Sequence, residues 1–391
     1  MIQNYLTQAE LSLAAYATLT TSIPDENALK GEGMAAAQAS AFALKWSVVD
    51  QHTDFVTGVS ATVFQEVATG KRFLAIRGTE PDDVNDLITD VVDIALLGTS
   101  AIQTQYASLK AQVQTWLGDG TLPAAFTVSG HSLGGFLATA LTADFATNIT
   151  QTYLYNAPGL DGVVGDVIGA ILNTFGITPP LALADVFNIK ANAGVSPIAG
   201  LGAQVAPAIG IHIEDQFFSD VPNPPLSYNH SQRVLTDALA LYAAYAQLDP
   251  TVSVDAITHI VNASSNLNVN TLERALDNLC ELLLGATTPG TVPESREDYH
   301  ANLYQLTDWL AARTQNGAPA LKLNDLVAHG SSTIAAQSRA DTPDGLAYRY
   351  ALVNLLPFAL TGDASLYAGH NTTGALDLYR VASNVDWRLA A

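Results

Sequence analysis

The stretch that most limits what this chain can become is Phe126–Phe145, FTVSGHSLGGFLATALTADF. A β-like apolar run passes through Gly130, Ser132 and Gly134 directly into a helix-like run. With Gly and Ser each near ~7% of an average protein, roughly 0.1 copies of G-x-S-x-G arise by chance in a chain this long. The pattern alone is therefore moderate support, and its surroundings carry the rest. A serine presented on a strand-to-helix elbow needs a strand before it, glycines where the turn leaves no room for side chains, and a helix after it whose N-terminal N–H groups can hold an anion. Phe126–Val128 supplies the strand, Gly130 and Gly134 flank Ser132, and the helix opens at about Leu133. The plain alternative is a serine in a Gly-rich turn.

A serine is a weak nucleophile until a histidine takes its proton and a carboxylate fixes that histidine, in the chain order Ser, acid, His for this arrangement. After Ser132 come His212, His230, His259, His300, His329 and His370. His212 lies in a strand-like run, and His259 in the helical DAITHIVNAS, where packed, satisfied histidines are the simpler reading. His230 follows the loop SDVPNPPLSYN and opens a helix after the last strand, the place from which a base reaches an elbow.

The acid is less legible. The loop after FNIKAN, where it belongs, holds no carboxylate. Asp215 in IHIEDQ is the first choice, Asp161 after YLYNAPG the second, and Asp220 on the histidine loop a third. For each, a solvated loop acid is the bland reading, and a serine or a backbone carbonyl holding the histidine is the other alternative. An oxyanion site needs two donors. The backbone N–H of Leu133 is one, and Thr79, just past the strand FLAIRGTE, is the other.

The chain has 391 residues, which fits one large domain with insertions or two domains. An apolar fraction of 48% against 14% charged residues can bury a large core. The formal net charge of −21 argues against nucleic acid and against anionic membrane, but not against neutral lipid held through apolar surface. The single cysteine, Cys280, sits among leucines on a helical apolar face and reads as a buried thiol. The N-terminal stretch has no basic region and carries Glu10, so it reads as a helix rather than a signal peptide. No apolar run reaches the ~18 residues of a spanning helix, so stable membrane insertion is not expected. No cofactor is required. A structural calcium is compatible with Asp83, Asp86, Asp90 and Asp93, although a solvated acidic turn explains them more simply.

Periodicity gives helix and loop over residues 1–45, then two strands about the turn Thr69-Gly70-Lys71, the second ending at Ile76. An amphipathic helix ending at Gly118 follows. AAFTVSG, QTYLYNAPG, ADVFNIKAN and IGIHIED read as strands. This alternation predicts an α/β fold with a mainly parallel sheet. From about residue 250 the chain reads as helices and polar turns without strong strands. The expected division is a catalytic domain over residues 1–245 and a mainly helical region over 246–391.

AIRGTE (Ala75–Glu80), VSGHSLGG (Val128–Gly135) and YNHS (Tyr228–Ser231) together resemble the class 3 lipases of the α/β-hydrolase superfamily. The later NHSQRVLTDALALYAAYAQLDP, LERALDNLCELLLG and AYRYALVNLLPFAL are similar to lipase-like regions of large bacterial calcium-repeat (RTX) proteins exported by type I secretion. The glycine-aspartate repeats of those proteins are missing from this chain. The resemblance implies a carboxylic-ester hydrolase, a lipase, esterase or phospholipase A, with Ser132 and His230 catalytic and Thr79 at the oxyanion. It implies an ester or lipid as substrate, and secretion without an N-terminal signal if the chain is part of such a protein, the cytoplasm otherwise. The acid missing after FNIKAN departs from the class 3 pattern. The apolar, Gly/Pro-punctuated Leu160–Leu183 sits where lids are inserted in such enzymes, and reads equally as buried core helix. The alternative from another class is a non-catalytic module on the same scaffold, part of a larger secreted protein.

Overall fold

A computed structural model describes residues 1–78, 98–158, 185–192, 205–213, 230–264, 271–285 and 295–382. The described residues fall into two compact units, Gln3–Leu239 and Ala240–Ala391.

The first unit is built on a seven-stranded sheet: β1 (Trp46–Thr53), β2 (Ser60–Glu66), β3 (Arg72–Ile76), β4 (Phe126–His131), β5 (Ile149–Tyr155), β6 (Val186–Ala191) and β7 (Ala208–Ile211), lying side by side in chain order. β1, β2 and β3 form an antiparallel meander. From β3 onward every neighbour is parallel, and the crossovers carry helices where the chain is described. The α/β class expected from the sequence, with a mainly parallel central sheet and helices, is the one adopted.

Two-residue alternation explains how the sheet is covered. Ala61 and Val63 of β2, with Leu74 and Ile76 of β3, face a core shared with α4 (Gly98–Asp119) and α5 (Leu133–Asp144). Phe64 and Ala75 face the other way, into a core with α1 (Ile2–Ala14), α2 (Glu26–Gly31) and α3 (Ala36–Lys45). β4 is buried at every residue except the half-buried Thr127, with Phe126 and Val128 in the first core and the small Ser129 and Gly130 equally buried beside them. α5 is buried from Leu133 to Thr142, so it has no polar face to show. Tyr5 ties α1 to the sheet: its ring meets Tyr153 and Phe187, and Tyr155 Oη donates to the Tyr5 carbonyl at 2.6 Å.

α6 (Gln232–Leu248) crosses from one unit to the next. The second unit continues with α7 (Val254–Ser264), α8 (Thr271–Leu284), α9 (Arg296–Gln315), α10 (Ser331–Arg339), α11 (Pro343–Val353) and α12 (Ala375–Ala382). It also contains a ribbon that the sequence reading lacked: β8 (Lys322–Asp325) pairs antiparallel with β9 (Phe358–Thr361). Four residues each is too short for periodicity to show. Among the described residues, no helix is long and apolar enough to cross a membrane, and no three His, Cys, Asp or Glu side chains gather as metal ligands. Asp83, Asp86, Asp90 and Asp93 lie outside the described residues, as does Leu160–Leu183.

Candidate active site

β4 ends at His131 and α5 begins at Leu133, so Ser132 alone makes the turn, with φ 55° and ψ −126°. That backbone conformation costs a non-glycine residue about 1–3 kcal/mol and persists only where its surroundings force it. Three glycines do the forcing. A Cβ on Gly130 would stand 2.3 Å from the Gly134 carbonyl oxygen, and one on Gly134 2.3 Å from that of Ile76. A Cβ on Gly135 would stand 2.6 Å from Ala157 Cβ. Strand, elbow and helix are thus pressed backbone to backbone. The Ser132 N–H donates to the Tyr155 carbonyl at 3.0 Å, which fixes the turn against β5. Leu133 is the first residue of α5, where a helix has no carbonyl of its own to accept the N–H.

The chain after β3 closes over the elbow. A Cβ on Gly78 would lie 2.5 Å from Tyr16 Oη, 2.8 Å from the His131 carbonyl and 3.2 Å from Ser132 Cβ. The next residue, Thr79, lies outside the described residues.

His230 is brought to the elbow through its backbone. Its carbonyl accepts from His131 Nε2 at 2.7 Å and from Asn156 Nδ2 at 3.2 Å. The two imidazole rings lie 4.8 Å apart between centroids, tilted by 40°. A carbonyl only accepts, so Nε2 of His131 carries the hydrogen, and its Nδ1 accepts from Tyr16 Oη at 2.7 Å. Asn156 directly follows β5, with φ 46°, and is fully buried. Its Oδ1 accepts from the Ala191 N–H at 3.0 Å, so one amide side chain joins β5, β6 and the histidine segment.

Burial dominates the electrostatics here. It pushes the His131 ring down to about 4, while the bond to the His230 carbonyl pulls the other way. His230 is held well below the ordinary histidine value, first by burial and then by the neighbouring His131 ring. Both rings are therefore neutral at neutral pH. His230 can accept a proton, and a carboxylate facing it would raise its basicity. Asp161, Asp215 and Asp220 all lie outside the described residues.

Of the residues singled out in the sequence, the structure brings Ser132, Leu133 and His230 to one end of the parallel strands. His259 is elsewhere, on α7, with Nδ1 2.8 Å from Asp325 Oδ2, and Cys280 is buried in α8. Sequence reasoning missed Tyr16, His131 and Asn156. His131 stood inside the motif, and Asn before Ala-Pro at a strand end hints at a positive φ. Nothing near Tyr16 in the chain announces a partner 115 residues away.

No family model matches the chain, and no curated protein matches it by sequence. Solved structures are similar to parts of it. Lip2 lipase from Yarrowia lipolytica aligns over 57% of this chain and 83% of its own, at 17% identity and a TM-score of 0.38. A Rhizomucor miehei lipase–propeptide complex aligns over 54% and 67%, at 16% identity and 0.35. A triacylglycerol lipase from Penicillium expansum aligns over 54% and 81%, at 14% identity and 0.30. At these scores the likeness carries no functional weight.

Proposed function

We propose that the protein is a serine carboxylic-ester hydrolase, a lipase or esterase in the broad sense, working through an acyl-enzyme on Ser132. The observation that carries this reading is the strained Ser132 backbone, held by three close-packed glycines beside a buried, neutral His230. Such strain adds nothing to packing and makes sense where it presents a side chain for chemistry.

In this reading His230 accepts the Ser132 hydroxyl proton as Oγ forms a bond to the ester carbonyl carbon. The carbonyl oxygen becomes an oxyanion, met by the Leu133 N–H and by Thr79. Collapse of the intermediate breaks the bond to the alcohol oxygen, which takes the proton from His230. Water then attacks the acyl carbon and loses a proton to His230; as the bond to Ser132 Oγ breaks, His230 returns that proton to Oγ, and the carboxylic acid leaves with Ser132 free. Asp215, or failing it Asp161, holds His230 in the productive tautomer.

The test is labelling by a fluorophosphonate together with turnover of p-nitrophenyl esters of several chain lengths. Ser132→Ala is expected to abolish labelling, and His230→Ala to lower turnover by about 10⁴-fold or more. Asp215→Asn and Asp161→Asn in the same assay identify the acid. A wild-type chain that neither labels nor turns over any ester would sink the proposal in favour of a non-catalytic module.

A further inference from the structure

Large apolar residues that stand singly on a surface need no explanation. Phe55 and Val56 are a different case. They are 93% and 94% exposed, and they are the only adjacent pair of large apolar residues so exposed among the described residues. They form the tip of the β1–β2 hairpin.

That tip is not a loose loop. Asp54 Oδ1 accepts from the Val56 and Thr57 N–H groups at 2.9 and 3.3 Å. Asp54 Oδ2 accepts from Ser108 Oγ at 2.8 Å, and Gln105 Nε2 donates to the Thr57 carbonyl at 2.8 Å, so α4 props the loop from one side. Arg77 Nη2 donates to the Gly58 carbonyl at 3.1 Å. The backbone closes with Gly58 N–H to Asp54 O at 2.7 Å and Asp54 N–H to Val59 O at 2.9 Å. Every tie holds the polar groups of the loop, and the two apolar side chains are left pointing at water.

Register places this tip on the same edge of the sheet as the elbow. Ala61 pairs with Ile76, and Ile76 with Gly130. The hairpin turns beyond Ser60, just as the chain turns at Ser132 beyond Gly130. At ~4.8 Å per strand, the tip stands about 10–15 Å from the nucleophile across the sheet. An apolar anchor rigidly fixed at that range suits a surface, not a single small molecule. With a net charge of −21 the chain is repelled by anionic lipid.

We propose that Phe55 and Val56 anchor the protein to a lipid surface without net charge, with the Ser132 edge of the sheet turned toward that surface. This deepens the ester-hydrolase reading and rests on it for the nature of the substrate. The anchor immerses one aromatic and one branched side chain while the ordered loop loses no further conformational freedom.

The experiment uses the full chain and phosphatidylcholine vesicles, with co-sedimentation as the readout. Phe55→Ser with Val56→Ser is expected to weaken binding about tenfold or more. Phe55→Trp is expected to bind at least as tightly as wild type, because Trp favours the interface. Mixing in phosphatidylserine is expected to lower binding of the wild type. Turnover of p-nitrophenyl acetate and fluorophosphonate labelling are expected to be the same in all three proteins, which also shows that the variants fold. Wild type that ignores the vesicles, or a double serine variant that binds as well as wild type, overturns the anchor. Loss of labelling and turnover in wild type overturns the hydrolase reading instead, and leaves the vesicle arm to decide the anchor by itself.

Discussion

Lowering the pH should loosen the elbow through His131. The ring is 6% exposed, and its near groups are Tyr16, which donates to Nδ1, the His230 ring and carbonyl, and Ser132 next to it in the chain. None of them offers a negative charge. Protonating Nδ1 would place a hydrogen against the Tyr16 hydroxyl hydrogen in a site that burial already makes hostile to charge. Unfolded, the ring titrates near 6.5, and folded it titrates at about 4. Between those values the unfolded chain binds more protons, so stability falls as the pH drops below about 6.5 and levels off below about 4. The linkage is close to zero near pH 7.5, about 2 kcal/mol near pH 5 and about 3 kcal/mol at its limit. His230 pushes in the same direction, so the wild-type slope is steeper than this share. His131→Gln removes the titration while leaving an amide N–H for the His230 carbonyl and an oxygen for Tyr16. Two compact units make a single unfolding curve ambiguous, so hydrogen-exchange protection of the β4 amides is the better readout. The variant is expected to lose about 2 kcal/mol less protection than wild type between pH 7.5 and pH 5. Equal losses in the two proteins would refute the buried neutral ring.

Tyr16→Phe leaves His131 Nδ1 without its 2.7 Å donor and should cost the first unit about 1–3 kcal/mol in the same exchange measurement, with slower fluorophosphonate labelling. Gly134→Ala puts a methyl 2.3 Å from the Ile76 carbonyl oxygen, against backbone that has nowhere to go. It should cost more than about 3 kcal/mol and abolish labelling, and a folded, fully reactive variant would contradict the packing described. Asp363→Ala removes the carboxylate 2.6 Å from Arg313 Nη2, where the two side chains are only 9% and 12% exposed. Hydrogen-exchange protection of the β8 and β9 amides should show the second unit destabilised by about 3 kcal/mol.

The elbow was legible because its cause is local. Gly130, Ser132 and Gly134 sit within five residues of one another, and the same close backbone approach that demands glycine also writes the pattern. The strands of the first unit were legible for a similar reason, since β2 and β3 alternate between two cores and β4 is buried at every residue but the half-buried Thr127. The groups that hold His230 were not. Asn156 and Tyr16 act across 74 and 115 residues, on His230 and His131 respectively, and no spacing rule reaches that far. The ribbon of β8 and β9 escaped because four residues make only two alternations. The exposed Phe55 and Val56 were plain in the sequence as letters, but exposure belongs to the fold. For the acid, the loop after FNIKAN offers no carboxylate at all, so no local pattern could single one out.

Strands that lie in the sheet in the order of the chain have a consequence for how the protein is made. Each strand leaving the ribosome finds its partner already synthesised, so the sheet can lengthen from β1 to β7 without waiting for a later strand to insert between earlier ones. The elbow is complete once β4, α5 and β5 exist, since Ser132 donates to Tyr155 and Gly135 packs on Ala157, well before residue 230. A nascent chain stopped between those points carries Ser132 but lacks His230, the base of the proposed reaction. On the proposed ester-hydrolase reading, reactivity is then set by the far end of the first unit, and an unfinished chain is expected to be chemically quiet.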